Sequence, residues 1–125
     1  FIVAATNMKN LIDPALLASG RFGLHIEIPM PNLEGLKQIF KIHSKNQPLF
    51  GDVSVDKLVT AMFENKFNGA DVAEMITDAF FNAIERLGLH EKMDARTFGF
   101  EDLKKILISN ADFEKALERL AKQKL

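Results

Sequence analysis

Residues 1–5, Phe-Ile-Val-Ala-Ala, are uninterruptedly apolar and stop at Thr6 and Asn7. A run this short and this apolar predicts a strand buried on both faces, as in a parallel sheet. Asp13 and Pro14 then open a short helix through Ala15, Leu16 and Leu17. Asp is a good N-cap, and Pro at the first helical position gives up an N–H that has no intrahelical partner anyway. Gly20 ends that helix. Residues 24–28, Leu-His-Ile-Glu-Ile, alternate apolar and polar and predict a second strand. Pro29 and Pro31 close it by forcing extended backbone at the residues before them.

From Asn32 the apolar spacing becomes helical. Leu36, Ile39, Phe40 and His43 share one face of a helix capped by Asn32. Residues 54–64 predict a second helix that turns Leu58, Ala61 and Met62 inward. Asn68 opens a third, with Val72, Ile76, Ala79, Phe80, Ala83 and Leu87 as its stripe and Gly88 at its end. Residues 89–99 read as a polar connector, and 101–108 as a short helix through Leu103, Ile106 and Leu107. Ser109 followed by Asp112 resembles a capping box for a last helix that buries Phe113, Ala116, Leu117 and Leu120. The expected fold class is mainly α with a small α/β remnant. The boundary is set at Pro29–Pro31: residues 32–125 can bury a core of their own, whereas two short strands and one helical turn cannot.

Composition narrows the chemistry. The 125 residues carry 16 Lys and Arg against 17 Asp and Glu, for a net charge of −1. That argues against a dedicated nucleic-acid or anionic-membrane surface. The absence of Cys excludes disulfides, thiolate metal sites and Cys nucleophiles. No apolar run is long enough to span a bilayer, and no signal peptide is visible. All aromatic residues are Phe, eleven of them, which serve packing alone. The chain starts with Phe inside an expected buried strand, which suggests a piece of something longer.

Read locally, Asn7 at the end of a buried strand suits a ligand crevice, where an amide orients water or bonds a phosphate oxygen, but equally a turn Asn capping backbone. Arg21, after Gly20, is either a projecting guanidinium or an idle surface charge. His43 at the end of an apolar stripe reads more readily as a core-edge residue than as a ligand contact. Gly69 and Ala70 start a helix whose free N–H groups and positive dipole end suit an anion. Asn68 and Asp71 read as its reciprocal cap. Lys104, Lys105, Lys122 and Lys124, interleaved with acids, read as solvated helix faces. The three His are too scattered for a zinc site, and His90-Glu91 lacks the second His of H-E-x-x-H.

Three segments, in order, resemble one family. Ala4-Ala5-Thr6-Asn7 with Asp13-Pro14-Ala15-Leu16-Leu17 and Gly20-Arg21-Phe22 resembles the second region of homology of AAA ATPases. Residues 36–46 resemble the first helix of that family's lid. Asn68-Gly69-Ala70-Asp71 resembles its S-G-A-D lid motif. The resemblance implies the end of a P-loop NTPase parallel sheet over residues 1–31 and a helical lid over 32–125. It implies that Asn7 is sensor 1, that Arg21 is an arginine finger, and that His43, Gly69 and Ala70 lie against the nucleotide. It further implies ATP as cofactor, with magnesium and the phosphates held upstream of Phe1, since G-x-x-x-x-G-K-[ST] and an apolar strand ending in Asp-Glu are absent here. The implied parent is a cytoplasmic ring, a hexamer, that hydrolyses ATP between subunits to unfold or remodel protein substrates. The two expected strands would flank a third that this chain lacks. Departures from the family pattern are Met8, Ala18-Ser19, Gly23 and Leu24, the last replacing a second arginine. They leave a rival reading, a non-enzymatic helical interaction module with a degenerate ATPase remnant.

Overall fold

The computed structural model describes residues 1–124. Two 3-10 turns, Lys9–Leu11 and Pro14–Leu17, come first. Six helices follow: α1 (Leu33–Ser44), α2 (Val55–Glu64), α3 (Gly69–Arg86), α4 (His90–Asp94), α5 (Phe100–Leu103) and α6 (Asn110–Gln123). No strand forms among the described residues; the single β-type contact is an isolated parallel bridge between Leu49 and Ile108.

The expected α/β remnant is therefore absent. Residues 1–5 and 24–28 have no strand assignment, and Phe1, Ile2, Val3, Leu24, Ile26 and Ile28 are all strongly exposed. An apolar segment becomes a strand only when a neighbour supplies N–H and C=O partners. These two segments do not pair with each other, and no other described segment pairs with them. The whole chain exposes 9371 Å², about 40% more than the roughly 6700 Å² expected of a folded monomer of its mass. The expected short helix is present as a 3-10 turn, with the Asp13 carboxylate accepting from the Ala15 N–H at 2.9 Å.

The helical part follows the sequence signals closely at its caps. Asn32 accepts from the Gly35 N–H at 2.8 Å and starts α1. Ser109 and Asp112 make a reciprocal box at the start of α6. Gly88 ends α3 in the left-handed conformation, φ +67°. The Gly88 N–H then bonds the Glu85 carbonyl and the Leu89 N–H the Ile84 carbonyl, a Schellman ending that buries Leu89. Between α3 and α6 the periodicity is weaker. The supposed connector contains α4, and the supposed helix over 101–108 stops at Leu103. Ile108 instead bonds the segment after α1: its N–H donates to the Pro48 carbonyl at 2.7 Å and its carbonyl accepts from the Phe50 N–H at 2.9 Å.

The core lies among α1, α2, α3 and α6, and α3 packs on both α1 and α6. It runs from Leu36 to Leu120. Helices α3 and α6 are antiparallel. Arg86 pairs with Asp112 at one end, Lys115 with Glu85 next to it, and Arg119 with Glu74 and Asp78 further along. Phe40 of α1 meets Phe113 of α6 with ring centroids 5.4 Å apart. Phase differs from expectation at several positions. Met75 and Val59 are buried, Phe80 is only half-buried, and Leu87 is exposed.

Phe113 is fully buried and Phe81 is 58% exposed. Phe113→Ala is expected to destabilise the protein by about 3–5 kcal/mol, and Phe81→Ala by less than about 0.5 kcal/mol. Chemical unfolding of both variants checks the core assignment.

Candidate functional site

Among the sites expected from sequence, the start of α3 is the one closed by reciprocal hydrogen bonds. Met62, Phe63, Glu64 and Asn65 end α2, and the chain then turns through Lys66 and Phe67 into Asn68. Asn68 Oδ1 accepts from the Asp71 N–H at 2.9 Å, and Asp71 Oδ2 accepts from the Asn68 N–H at 2.8 Å. This reciprocal box uses the donors of Asn68 and Asp71. Gly69 and Ala70, at the first two helical positions, have no intrahelical partner for their N–H groups. A Cβ on Gly69 would meet only the Ile39 side chain, at 3.9 Å, so no other part of the chain fills the space there. Two outward donors, a positive helix end and an open approach fit an anionic or polar ligand group.

Ile39 brings α1 to this point, and His43 lies one helical turn beyond Ile39. His43 itself is exposed rather than on the buried face. The row that turns inward is Leu36, Phe40 and Ser44, each four residues on from the last, and His43 falls beside it.

Asn7 and Arg21 lie in the exposed first segment. Asn7 sits in a bend, next to Thr6, whose hydroxyl accepts from the Met8 N–H at 3.0 Å. Arg21 follows Gly20, which takes φ +85°. Its Nη1 donates to the Ala15 carbonyl at 3.0 Å, folding the guanidinium back over the Pro14–Leu17 turn. Among the described residues, no hydrogen bond joins residues 1–31 to the helical part.

The described residues contain no group of three His, Asp or Glu placed to hold a metal ion. A surface recess of about 320 Å³ lies elsewhere, lined by Phe50, Asp52, Arg86, Lys105, Leu107 and Ser109. Its polar groups serve the fold. Arg86 bonds both Asp112 oxygens and the Leu107 carbonyl. Asp52 accepts from the Asn110 N–H, and Ser109 bonds Asp112.

No family model matches the chain. Among curated proteins it is 35% identical over 119 residues to the Cell division cycle protein 48 homolog of Archaeoglobus fulgidus, covering 95% of this chain and 16% of that one. It is 46% identical over 83 residues to the Proteasome-activating nucleotidase of Methanopyrus kandleri, covering 66% of this chain and 19% of the relative. It is 42% identical over 85 residues to the ATP-dependent zinc metalloprotease FtsH 1 of a Thermoanaerobacter species, covering 68% and 14%. The chain thus spans about a sixth of the length of the relatives it matches. Read with the motifs of its first 22 residues and the Asn68–Asp71 segment, these similarities point to one family. The chain belongs to the AAA ATPase family.

Burial alone would push the Asp112 carboxyl up. The Arg86 guanidinium and the Ser109 N–H and hydroxyl outweigh it and hold the group below the ordinary carboxylate range. The resulting stabilisation is present above the unfolded Asp value, about 3.9, and is lost as pH falls through the depressed folded value. Asp112→Asn is expected to lower stability by about 2 kcal/mol at neutral pH. Denaturant midpoints measured from pH 7 to pH 2 should show that gap narrowing below about pH 4; a constant gap contradicts the assignment.

Proposed function

We propose that this chain is the C-terminal part of an AAA module, with residues 1–31 from the end of the nucleotide-binding subdomain and residues 32–125 as the helical lid. The parent binds ATP between subunits of a ring and couples its hydrolysis to unfolding or remodelling of protein substrates. The observation that carries this reading is the order of motifs along one chain: Thr6-Asn7, then Asp13-Pro14-Ala15-Leu16-Leu17 with Gly20-Arg21-Phe22, then Asn68-Gly69-Ala70-Asp71. Similarity over 95% of the chain to a Cell division cycle protein 48 homolog supports it.

In this reading each residue has a physical task. The Asn7 amide orients the attacking water and bonds the γ-phosphate. Arg21 leaves the Ala15 carbonyl and reaches the neighbouring subunit's nucleotide, where its charge stabilises the phosphoryl-transfer transition state. His43 lies beside the adenine or ribose. Gly69 and Ala70 present their free N–H groups to the same ligand. ATP supplies the phosphoryl group. Magnesium and the phosphates are held by segments outside this chain.

Arg21→Ala in the whole protein is expected to leave ATP binding within about twofold and to lower turnover by on the order of 10³ or more. Steady-state hydrolysis with a parallel nucleotide-binding measurement checks this. Turnover at the parental rate would remove Arg21 from the transition state.

A further inference from the structure

Lys124 does not behave as the solvated lysine its sequence context suggests. It caps the end of α6 and reaches back to the turn that opens α3. Its Nζ lies 2.8 Å from Asp71 Oδ2, the oxygen that also accepts from the Asn68 N–H. The same ammonium donates to the Lys66 carbonyl at 3.4 Å and stands 5.7 Å from the centre of the buried Phe67 ring. Its side chain is 31% exposed, against 71% for Lys122 two residues earlier.

The turn it grips is under backbone strain. Lys66 ends α2 in the left-handed region, φ +54°. Its N–H bonds the Phe63 carbonyl and the Phe67 N–H bonds the Met62 carbonyl, the Schellman pattern in which glycine is usual. A side chain at that position is unfavourable, so neighbouring contacts must hold the conformation. Burial of Phe67 is one such contact. Lys124 supplies the others, on the carbonyl of Lys66 and on the cap carboxylate of Asp71.

We propose that Lys124 is a positioning residue for the nucleotide-contacting turn. From the end of α6 it fixes the Lys66–Phe67 turn and the Asn68–Asp71 box, and so sets the direction in which the Gly69 and Ala70 N–H groups point. This rests on the reading that Gly69 and Ala70 face a nucleotide. It assigns a role to a residue distant in sequence from every motif of that reading.

Amide exchange on this chain and ATP affinity in the whole protein test it together. Lys124→Met is expected to speed exchange at Asn68 and Asp71 about two- to fivefold, the scale of a surface-to-half-buried ion pair, while Ala116 in the core of α6 is unaffected. Lys124→Arg restores the parental rates. Arg119→Met, which cuts ion pairs between the same two helices, leaves the Asn68 and Asp71 amides unchanged. ATP affinity falls by the same factor in Lys124→Met and recovers in Lys124→Arg. Unchanged exchange at Asn68 and Asp71 overturns the proposal. So does faster exchange with unchanged ATP affinity when His43→Ala weakens ATP binding, an outcome that spares the site itself. If His43→Ala and Lys124→Met both leave affinity unchanged, the site reading fails and the proposal falls with it.

Discussion

Helix α3 presents Val72, Met75, Ile76, Ala79, Ala83 and Ile84 as buried side chains to partners on two sides, α1 and α6. Ala79 and Ala83 are fully buried, and their small size lets the neighbours approach closely. Everything else in the helical part answers to this constraint. Phe40 and Phe113 meet across the bundle, α2 closes one flank through Leu58, Val59 and Met62, and ion pairs fix the antiparallel register of α3 and α6. The start of α3 inherits its position from that packing. Its first two N–H groups, of Gly69 and Ala70, have no intrahelical partner.

The first 31 residues stand in a different physical situation. They supply no residue to the core, and most of their apolar side chains face solvent, with Ile12, Leu17 and Phe22 half-buried. Local chemistry still shapes them. The Asp13 cap, the 3-10 turn from Pro14 and the left-handed Gly20 form without tertiary support, since each depends on neighbours within a few residues. A strand differs, because its hydrogen bonds lie outside itself. That distinction separates the part of this segment that takes its expected form from the part that does not.

The same distinction governs what could be read from the sequence. Helix caps at Asn32, Asn68 and Ser109, and the glycine end of α3, are short-range signals and were legible residue by residue. The core stripe was legible to within a residue or two: the pattern pointed to Phe80 and Leu87, whereas Met75 and Ile84 are the buried members. Residues 1–5 and 24–28 form no strands, because an apolar run reports a tendency to be buried and not the presence of a partner. His43 was placed on the buried face by a pattern that Ser44 fulfils instead. Among the site residues, the Asn68–Asp71 box was visible in sequence. The contact from Lys124 was not, since nothing local couples the end of α6 to the start of α3.

The account rests on residues 32–125 holding their structure without the first 31. Thermal and chemical unfolding of a chain trimmed to residues 32–125, compared with the full chain, tests this most directly. The account predicts a cooperative transition with the same midpoint within about 0.5 kcal/mol. Loss of cooperative unfolding in the trimmed chain, or a stability lower by several kcal/mol, would contradict it.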